Sequence, residues 1–144
     1  MVEEPNLTRF LTAQATDYDQ ALAEIRAGRK RSHWMWYIFP QLAGLGYSSL
    51  AQLYGINGLQ EAADYLAHPV LGSRLVAIAH ALLGIEGKTA TQIMGTPDDL
   101  KLRSSMTLFN AVEPTNPVFQ DVLDKYYNGE PDPRTLTALK NDSF

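Results

Sequence analysis

The chain has 144 residues, a formal net charge of −4 and 45% hydrophobic residues. These values are typical of one soluble globular domain spanning 1–144, with an ordered core over about 6–140, and they exclude an intrinsically disordered chain. The acidic balance argues against nucleic acid as a partner. The absence of cysteine excludes disulfides and thiolate catalysis. Because no signal peptide follows Met1 and no apolar run is long enough to span a bilayer, we expect a cytoplasmic protein without membrane contact.

Apolar residues at helical spacing run through most of the chain and predict an all-α fold of eight or nine short helices. Asn6 is predicted to cap the first helix. Thr16, with Asp19 three residues later, predicts that a second helix starts there and ends at Gly28. No alternating pattern of useful length predicts a strand.

The densest aromatic stretch of the chain lies over residues 34–39, directly after a basic run over 29–31. Large aromatic side chains dominate the energetics of a core, so this stretch is predicted to be the centre of the core. Ser32 is predicted to cap a short helix over residues 33–39, and Pro40 is predicted to end it.

Several start signals organise the rest of the chain. Asn57 is predicted to cap a helix, and His68 with Pro69 opens the longest apolar helix, which closes near Gly84. Further start signals combine a capping residue with a box partner or with proline at the first helical position. They are Thr89 with Gln92, Thr96-Pro97, Asn116-Pro117 and Asp132-Pro133.

The first candidate site lies in the basic-aromatic stretch. One hypothesis is that Lys30, His33 and Trp36 form a cationic and aromatic wall suited to a flat anion such as a nucleotide. The ordinary alternative is that Lys30 is solvated, Trp36 fills the core and His33 bonds to a backbone carbonyl. A third hypothesis is that the basic run contacts nucleic-acid phosphates. The acidic net charge of the chain and the apolar neighbours of the tryptophans argue against it.

The second candidate site lies on a predicted helix over residues 98–110. Its apolar stripe, at Leu102, Met106 and Phe109, is predicted to face the core. Beside that stripe are Lys101 and three small hydroxyl residues: Ser104, Ser105 and Thr107. Serine and threonine lower helix propensity, so hydroxyls at these positions serve either the close approach of another helix or the binding of a ligand.

No familiar catalytic motif marks a reaction, and the three histidines have no spacing typical of metal ligands. We therefore expect no metal and no cofactor, and the sequence leaves open whether the protein is an enzyme. The two candidate groups are expected to converge on a concave pocket for a small anionic or nucleotide-like ligand. Its predicted residues are Lys30, His33, Trp34, Trp36, Lys101, Ser104 and Ser105.

Two other functions are kept as alternatives. One is a hydrolase-type enzyme in which His33 serves as general acid or base. The other is a helical module that binds a protein partner or forms a homo-oligomer, because tyrosine is enriched at interfaces. The tyrosines outside the aromatic stretch are Tyr47, Tyr54, Tyr65, Tyr126 and Tyr127.

The long motifs of the sequence include Ser-His-Trp-Met-Trp-Tyr-Ile-Phe-Pro-Gln-Leu (32–42), Leu-Gly-Tyr-Ser (45–48) and Tyr-Tyr-Asn-Gly-Glu-Pro-Asp-Pro-Arg-Thr-Leu (126–136). They resemble the motifs of a bacterial family, also found in some eukaryotes, that is grouped under domains of unknown function. The resemblance implies an all-helical domain and supplies no catalytic residues. The family is sometimes mislabelled calpastatin, a name that belongs to a disordered inhibitor. Polar residues shared with the motifs include Gln41, Ser48 and Arg74.

Overall fold

The computed structural model describes residues 7–141, and within that range it contains nine α-helices and no strand, which confirms the predicted all-α fold. In chain order the helices are α1 (Thr8–Arg26), α2 (Met35–Ile38), α3 (Ser49–Tyr54), α4 (Leu59–Ala67), α5 (Leu71–Leu83), α6 (Ala90–Met94), α7 (Asp98–Asn110), α8 (Pro117–Tyr127) and α9 (Pro133–Asn141). A parallel bridge between Leu42 and Ile56 closes the loop around α3.

The first helix is continuous, so the predicted second start at Thr16 is wrong. Thr16 lies exposed in the middle of α1, and no glycine or proline interrupts residues 8–26. A capping residue starts a helix only where the chain before it leaves the helical conformation. The predicted cap at Asn6 falls outside the described residues.

The aromatic stretch reaches the core through a shorter helix than predicted. The helix over 33–39 is reduced to α2, with Trp34 at its N-cap position. Ser32 does not cap it, because its backbone N–H and hydroxyl both bond to Glu24, at 2.9 and 2.6 Å. The stretch is buried except at Trp36, which is half-buried.

Three predicted helix starts are confirmed, and at each of them the capping side chain bonds to the first turn of its own helix. The capping box of Thr89 and Gln92 is present, and the Asn116 side chain accepts the N–H of Val118. Asp132 accepts the N–H of Thr135 at 3.1 Å in the first turn of α9.

Two predicted caps are displaced by one residue. Helix α7 has Pro97 at its N-cap position instead of Thr96, and the Thr96–Pro97 peptide bond is cis. Helix α4 has Gly58 at its N-cap position instead of Asn57. In α4, Glu61 reaches back to accept the N–H of Asn57 at 3.1 Å.

Helices α4, α5, α7 and α8 pack together, and their buried side chains form one core with those of the aromatic stretch. The predicted stripe of α7 is buried as expected. Phe109 is fully buried, with its ring centroid 5.2 Å from that of Tyr65 and 5.9 Å from that of Phe119.

A tight turn joins α4 to α5. His68 Nδ1 accepts the backbone N–H groups of Val70 and Leu71, at 3.1 and 3.2 Å. Within residues 7–141 no single helix is long and apolar enough to cross a membrane, although α4 and α5 taken together meet that test with a bend of 88° between them.

Replacing Gly72 with alanine is expected to destabilise the protein by about 1–3 kcal/mol, the usual range for overpacking. A Cβ atom at this position would lie 2.1 Å from the carbonyl oxygen of Leu66. Gly84→Ala is the matched control, since its nearest such contact is an ordinary 3.5 Å. Urea unfolding of both variants provides the measurement. Equal stabilities would show that the α4–α5 turn adjusts without cost.

Candidate functional site

A cavity of about 410 Å³ opens between the 41–48 loop, the N-terminal half of α7 and the start of α9. This volume falls within the range of small-molecule sites. Three separate segments of the chain contribute its walls. The lining residues are Gln41, Leu45, Gly46, Tyr47, Ser48, Ala51, Pro97, Leu100, Lys101, Arg103, Ser104, Asp132 and Arg134.

The cavity lining is richer in basic than in acidic side chains, although the chain has a net charge of −4. It holds three basic side chains, Lys101, Arg103 and Arg134, and one carboxylate, Asp132. Lys101 is paired with Asp98 and Arg103 with Glu130, each at 3.7 Å, whereas Arg134 forms no ion pair with a described residue. A concave site lined mainly by one sign of charge concentrates ligands of the opposite sign.

Neighbouring groups hold each cation in place. Arg134 Nη2 donates to the carbonyl oxygen of Leu45 at 3.1 Å, which ties α9 to the 41–48 loop. Arg103 Nε donates to the carbonyl oxygen of Glu130 at 3.0 Å. The Lys101 ammonium lies 5.3 Å from the centroid of a Trp36 ring. The cations are therefore oriented before any ligand arrives.

The carboxylate of Asp132 is bonded through one of its two oxygens. Its Oδ2 accepts hydrogen bonds from the Ser104 hydroxyl, the Thr135 hydroxyl and the Thr135 N–H, at 2.9, 2.6 and 3.1 Å. The Asp132 N–H donates to the Thr107 hydroxyl at 2.8 Å. Thus Ser104 and Thr107 attach the start of α9 to α7, and Ser104 also faces the cavity.

Asp98 links the two predicted candidate groups. Its Oδ2 lies 2.9 Å from the Lys30 ammonium, and its Oδ1 lies 3.7 Å from the Lys101 ammonium. The Lys30 side chain is only 7% exposed, and its ammonium lies 4.9 Å from the Trp34 ring centroid. Lys30 does not line the cavity; it is the buried ion-pair partner of Asp98, which also pairs with the lining residue Lys101.

The other predicted site residues occupy different places. Trp34 and Ser105 are buried in the core, and the Ser105 hydroxyl has no hydrogen-bond partner among residues 7–141. Trp36 borders a small cleft that shares Gln41, among others, with the cavity. His33 is exposed and does not line the cavity. Of the predicted residues, the structure brings Lys101 and Ser104 together in the cavity.

Glu24 was not singled out in the sequence, yet its buried carboxylate organises the basic loop. It accepts the backbone N–H groups of Arg31 and Ser32, at 2.7 and 2.9 Å, and the indole N–H of Trp34 at 3.0 Å. Burial by itself raises the pKa of the Glu24 carboxyl, but the hydrogen bonds it accepts outweigh burial and lower that pKa to about 2. This network fixes the entry to the aromatic stretch.

The sequence interpretation also missed four cavity residues: Tyr47, Arg103, Asp132 and Arg134. Tyr47, Arg103 and the pair Asp132 and Arg134 come from three segments far apart along the chain, so no local spacing connects the three segments. The family-like motifs carried the available signal, because Gln41 and Ser48 belong to those motifs and both line the cavity.

Most tyrosines outside the aromatic stretch complete the core. The hydroxyls of Tyr126 and Tyr127 each donate to a backbone carbonyl, at 2.5 Å. Tyr65 is fully buried, and its hydroxyl accepts from Gln14 at 2.9 Å. Burial raises the pKa of Tyr65 above its ordinary value, as expected for a phenol removed from water. Tyr47, by contrast, is 86% exposed.

No group of three or more histidine or acidic side chains within residues 7–141 is arranged to hold a metal ion.

The arginines that could contact nucleic-acid phosphates are exposed: Arg26 at the end of α1, and Arg29 and Arg31 on the basic run. The neighbouring Trp34 is buried and so unavailable for stacking on a base.

Comparison with known proteins gives a family but no activity. No curated protein matches the chain in sequence. The crystal structure of the conserved hypothetical protein Rv1873 from Mycobacterium tuberculosis is similar, with 49% sequence identity and a TM-score of 0.92 over 96% of this chain and 99% of that one. Residues 4–139 match the model of the family described as protein of unknown function (DUF1810). The chain therefore belongs to the DUF1810 family.

Proposed function

We propose that this protein binds a small phosphate-bearing anion in the cavity between the 41–48 loop, α7 and α9. The observation that carries the proposal is a lining with three basic side chains to one carboxylate, in which Arg134 forms no ion pair with a described residue. Arginine presents several donors in a planar fork that matches the oxygens of phosphate, and lysine adds a compact positive charge.

The proposed site also has neutral groups that suit an anion. Gln41 and Ser48 line the same cavity, so an amide and a hydroxyl are available beside the three cations. The one carboxylate, Asp132, has its charge satisfied at Oδ2 by three donors. Its repulsion toward an anion is reduced by those hydrogen bonds.

The test is isothermal titration calorimetry with ribose 5-phosphate as the probe, at low and at physiological salt. We expect Arg134→Gln and Lys101→Ala each to weaken binding about tenfold to a hundredfold, the usual effect of removing a hydrogen bond to a charged group. We also expect the affinity to fall as salt rises.

Arg29→Gln is the matched control. Arg29 is an exposed arginine outside the cavity, so its removal lowers the net charge equally while leaving the site intact. Unchanged binding by this variant would assign the effect to the cavity. Equal losses in Arg29→Gln and Arg134→Gln would contradict the proposal.

The remaining predictions about function have no support from the geometry of this cavity. His33, the proposed acid or base of a hydrolase, is not part of the lining. Cytoplasmic location and a protein partner or homo-oligomer stay predictions.

A further inference from the structure

We infer that the ligand of this cavity is a mononucleotide, whose base stacks on Tyr47 and whose ribose hydroxyls bond to Asp132. The inference rests on the proposed function and narrows its ligand class. Two features of the lining that phosphate binding leaves unused point to it.

The first feature is an exposed apolar wall. Tyr47 is 86% exposed and Leu100 is 58% exposed, and both line the cavity. Leu45, Ala51 and Pro97 extend the same lining. An exposed phenol ring beside aliphatic side chains offers a face for a flat ring, and such stacking is tolerant of base identity.

The second feature is an unused acceptor. All three hydrogen bonds to the Asp132 side chain go to Oδ2, and Oδ1 has no partner among the described residues. A carboxylate oxygen in the lining does not serve a bare phosphate, but it accepts hydrogen bonds from the hydroxyl groups of a sugar. Acidic side chains bind ribose hydroxyls in this way in other nucleotide sites.

The size of the cavity limits the ligand. About 410 Å³ lies in the lower part of the range observed for small-molecule sites, roughly 300–1,000 Å³. A base, a sugar and one phosphate match the three kinds of group present: an apolar wall, an acceptor and a set of cations. A polynucleotide would need an extended groove with several stacking rings.

The experiment compares four probes by calorimetry on the full chain: AMP, UMP, 2′,3′-dideoxy-AMP and ribose 5-phosphate. We expect AMP and UMP to bind about fivefold to a hundredfold more tightly than ribose 5-phosphate, because stacking of a base on an aromatic side chain contributes about that factor. We expect 2′,3′-dideoxy-AMP to bind about tenfold more weakly than AMP. Changing the ligand tests the Asp132 contact without disturbing a residue that also holds α9.

Tyr47→Ala tests the stacking contact. It should reduce the affinity for AMP and UMP to that for ribose 5-phosphate, while Tyr47→Phe keeps the wild-type preference. Because Tyr47 is largely exposed, its truncation should leave folding intact, which thermal unfolding checks.

The outcomes separate this inference from the proposed function. Equal binding of AMP and ribose 5-phosphate, or a Tyr47→Ala variant that retains the preference, overturns the mononucleotide assignment and leaves anion binding standing. Equal binding of AMP and its dideoxy analogue overturns the Asp132 contact. Failure of every phosphorylated probe to bind the wild-type protein overturns both proposals.

Discussion

Replacing Glu24 with alanine is expected to lower the free energy of unfolding by about 3–5 kcal/mol, because several donors, among them the buried indole N–H of Trp34, lose their acceptor at once. The backbone N–H groups of Arg31 and Ser32 and the indole N–H of Trp34 all bond to this carboxylate. Water has little access, since Glu24 is buried. Urea unfolding at neutral pH is the measurement.

The exposed Glu86 provides a matched control. Glu86→Ala removes the same charge without removing a buried acceptor, so its effect should stay within about 0.5 kcal/mol. Glu24→Gln should fall between the two, because its amide oxygen still accepts while its amide nitrogen does not. A loss below about 1 kcal/mol for Glu24→Ala would show that water or a shifted side chain replaces the carboxylate.

The same network predicts a dependence on pH. The pKa of Glu24 is about 2 in the folded protein, below its ordinary value of 4.5. The charged form is thus favoured by folding, so its contribution to stability is complete above pH 4.5 and is lost as pH falls toward 2. The stability difference between wild type and Glu24→Gln should shrink over that interval. A difference that stays constant from neutral pH to pH 2 would contradict the lowered pKa.

Replacing Phe109 with alanine is expected to cost about 3–5 kcal/mol, the usual penalty for removing a fully buried aromatic ring. Phe109 is fully buried and packs between Tyr65 and Phe119, so its removal leaves a void in the centre of the core. Trp36→Ala should cost less, because Trp36 is half-buried and water can occupy part of the vacated space. Chemical unfolding of both variants tests the order.

Leu53→Ala serves as the control for this comparison. Leu53 lies on α3 and is 53% exposed, so its truncation should change stability by no more than about 0.5 kcal/mol. A Phe109→Ala variant as stable as Leu53→Ala would mean that the core closes around the missing ring.

The predicted helix caps show which parts of the fold can be predicted from local sequence. The capping box of Thr89 and Gln92 and the Asn116-Pro117 start were predicted correctly because each cap bonds to its own first turn. Ser32 has the same capping chemistry, but its hydroxyl bonds to Glu24 eight residues earlier. A tertiary acceptor competed with the local one, and local sequence contains no information about that competition.

The cavity was only partly predictable for a similar reason. Lys101 and Ser104 were recognised because they stand beside an apolar stripe at helical spacing, which a single helix determines. Arg134 and Tyr47 belong to segments about ninety residues apart, and only the packing of α9 against the 41–48 loop brings both to one cavity. Lys30 was predicted in the pocket, but Asp98 holds it as a buried ion pair instead.

The sequence by itself determined the helical class, several helix starts and the residues of the main apolar stripes, because these depend on interactions within a few residues. Only the tertiary structure decided which polar side chains share a site. Glu24 is buried and accepts hydrogen bonds from the basic loop, and Lys30 forms an ion pair with Asp98. Lys101, Arg134 and Asp132 line one cavity. Polar side chains form hydrogen bonds and ion pairs when they lie within a few ångströms of one another, whatever the separation of the two residues along the chain. The packing of the helices therefore determines which side chains become partners.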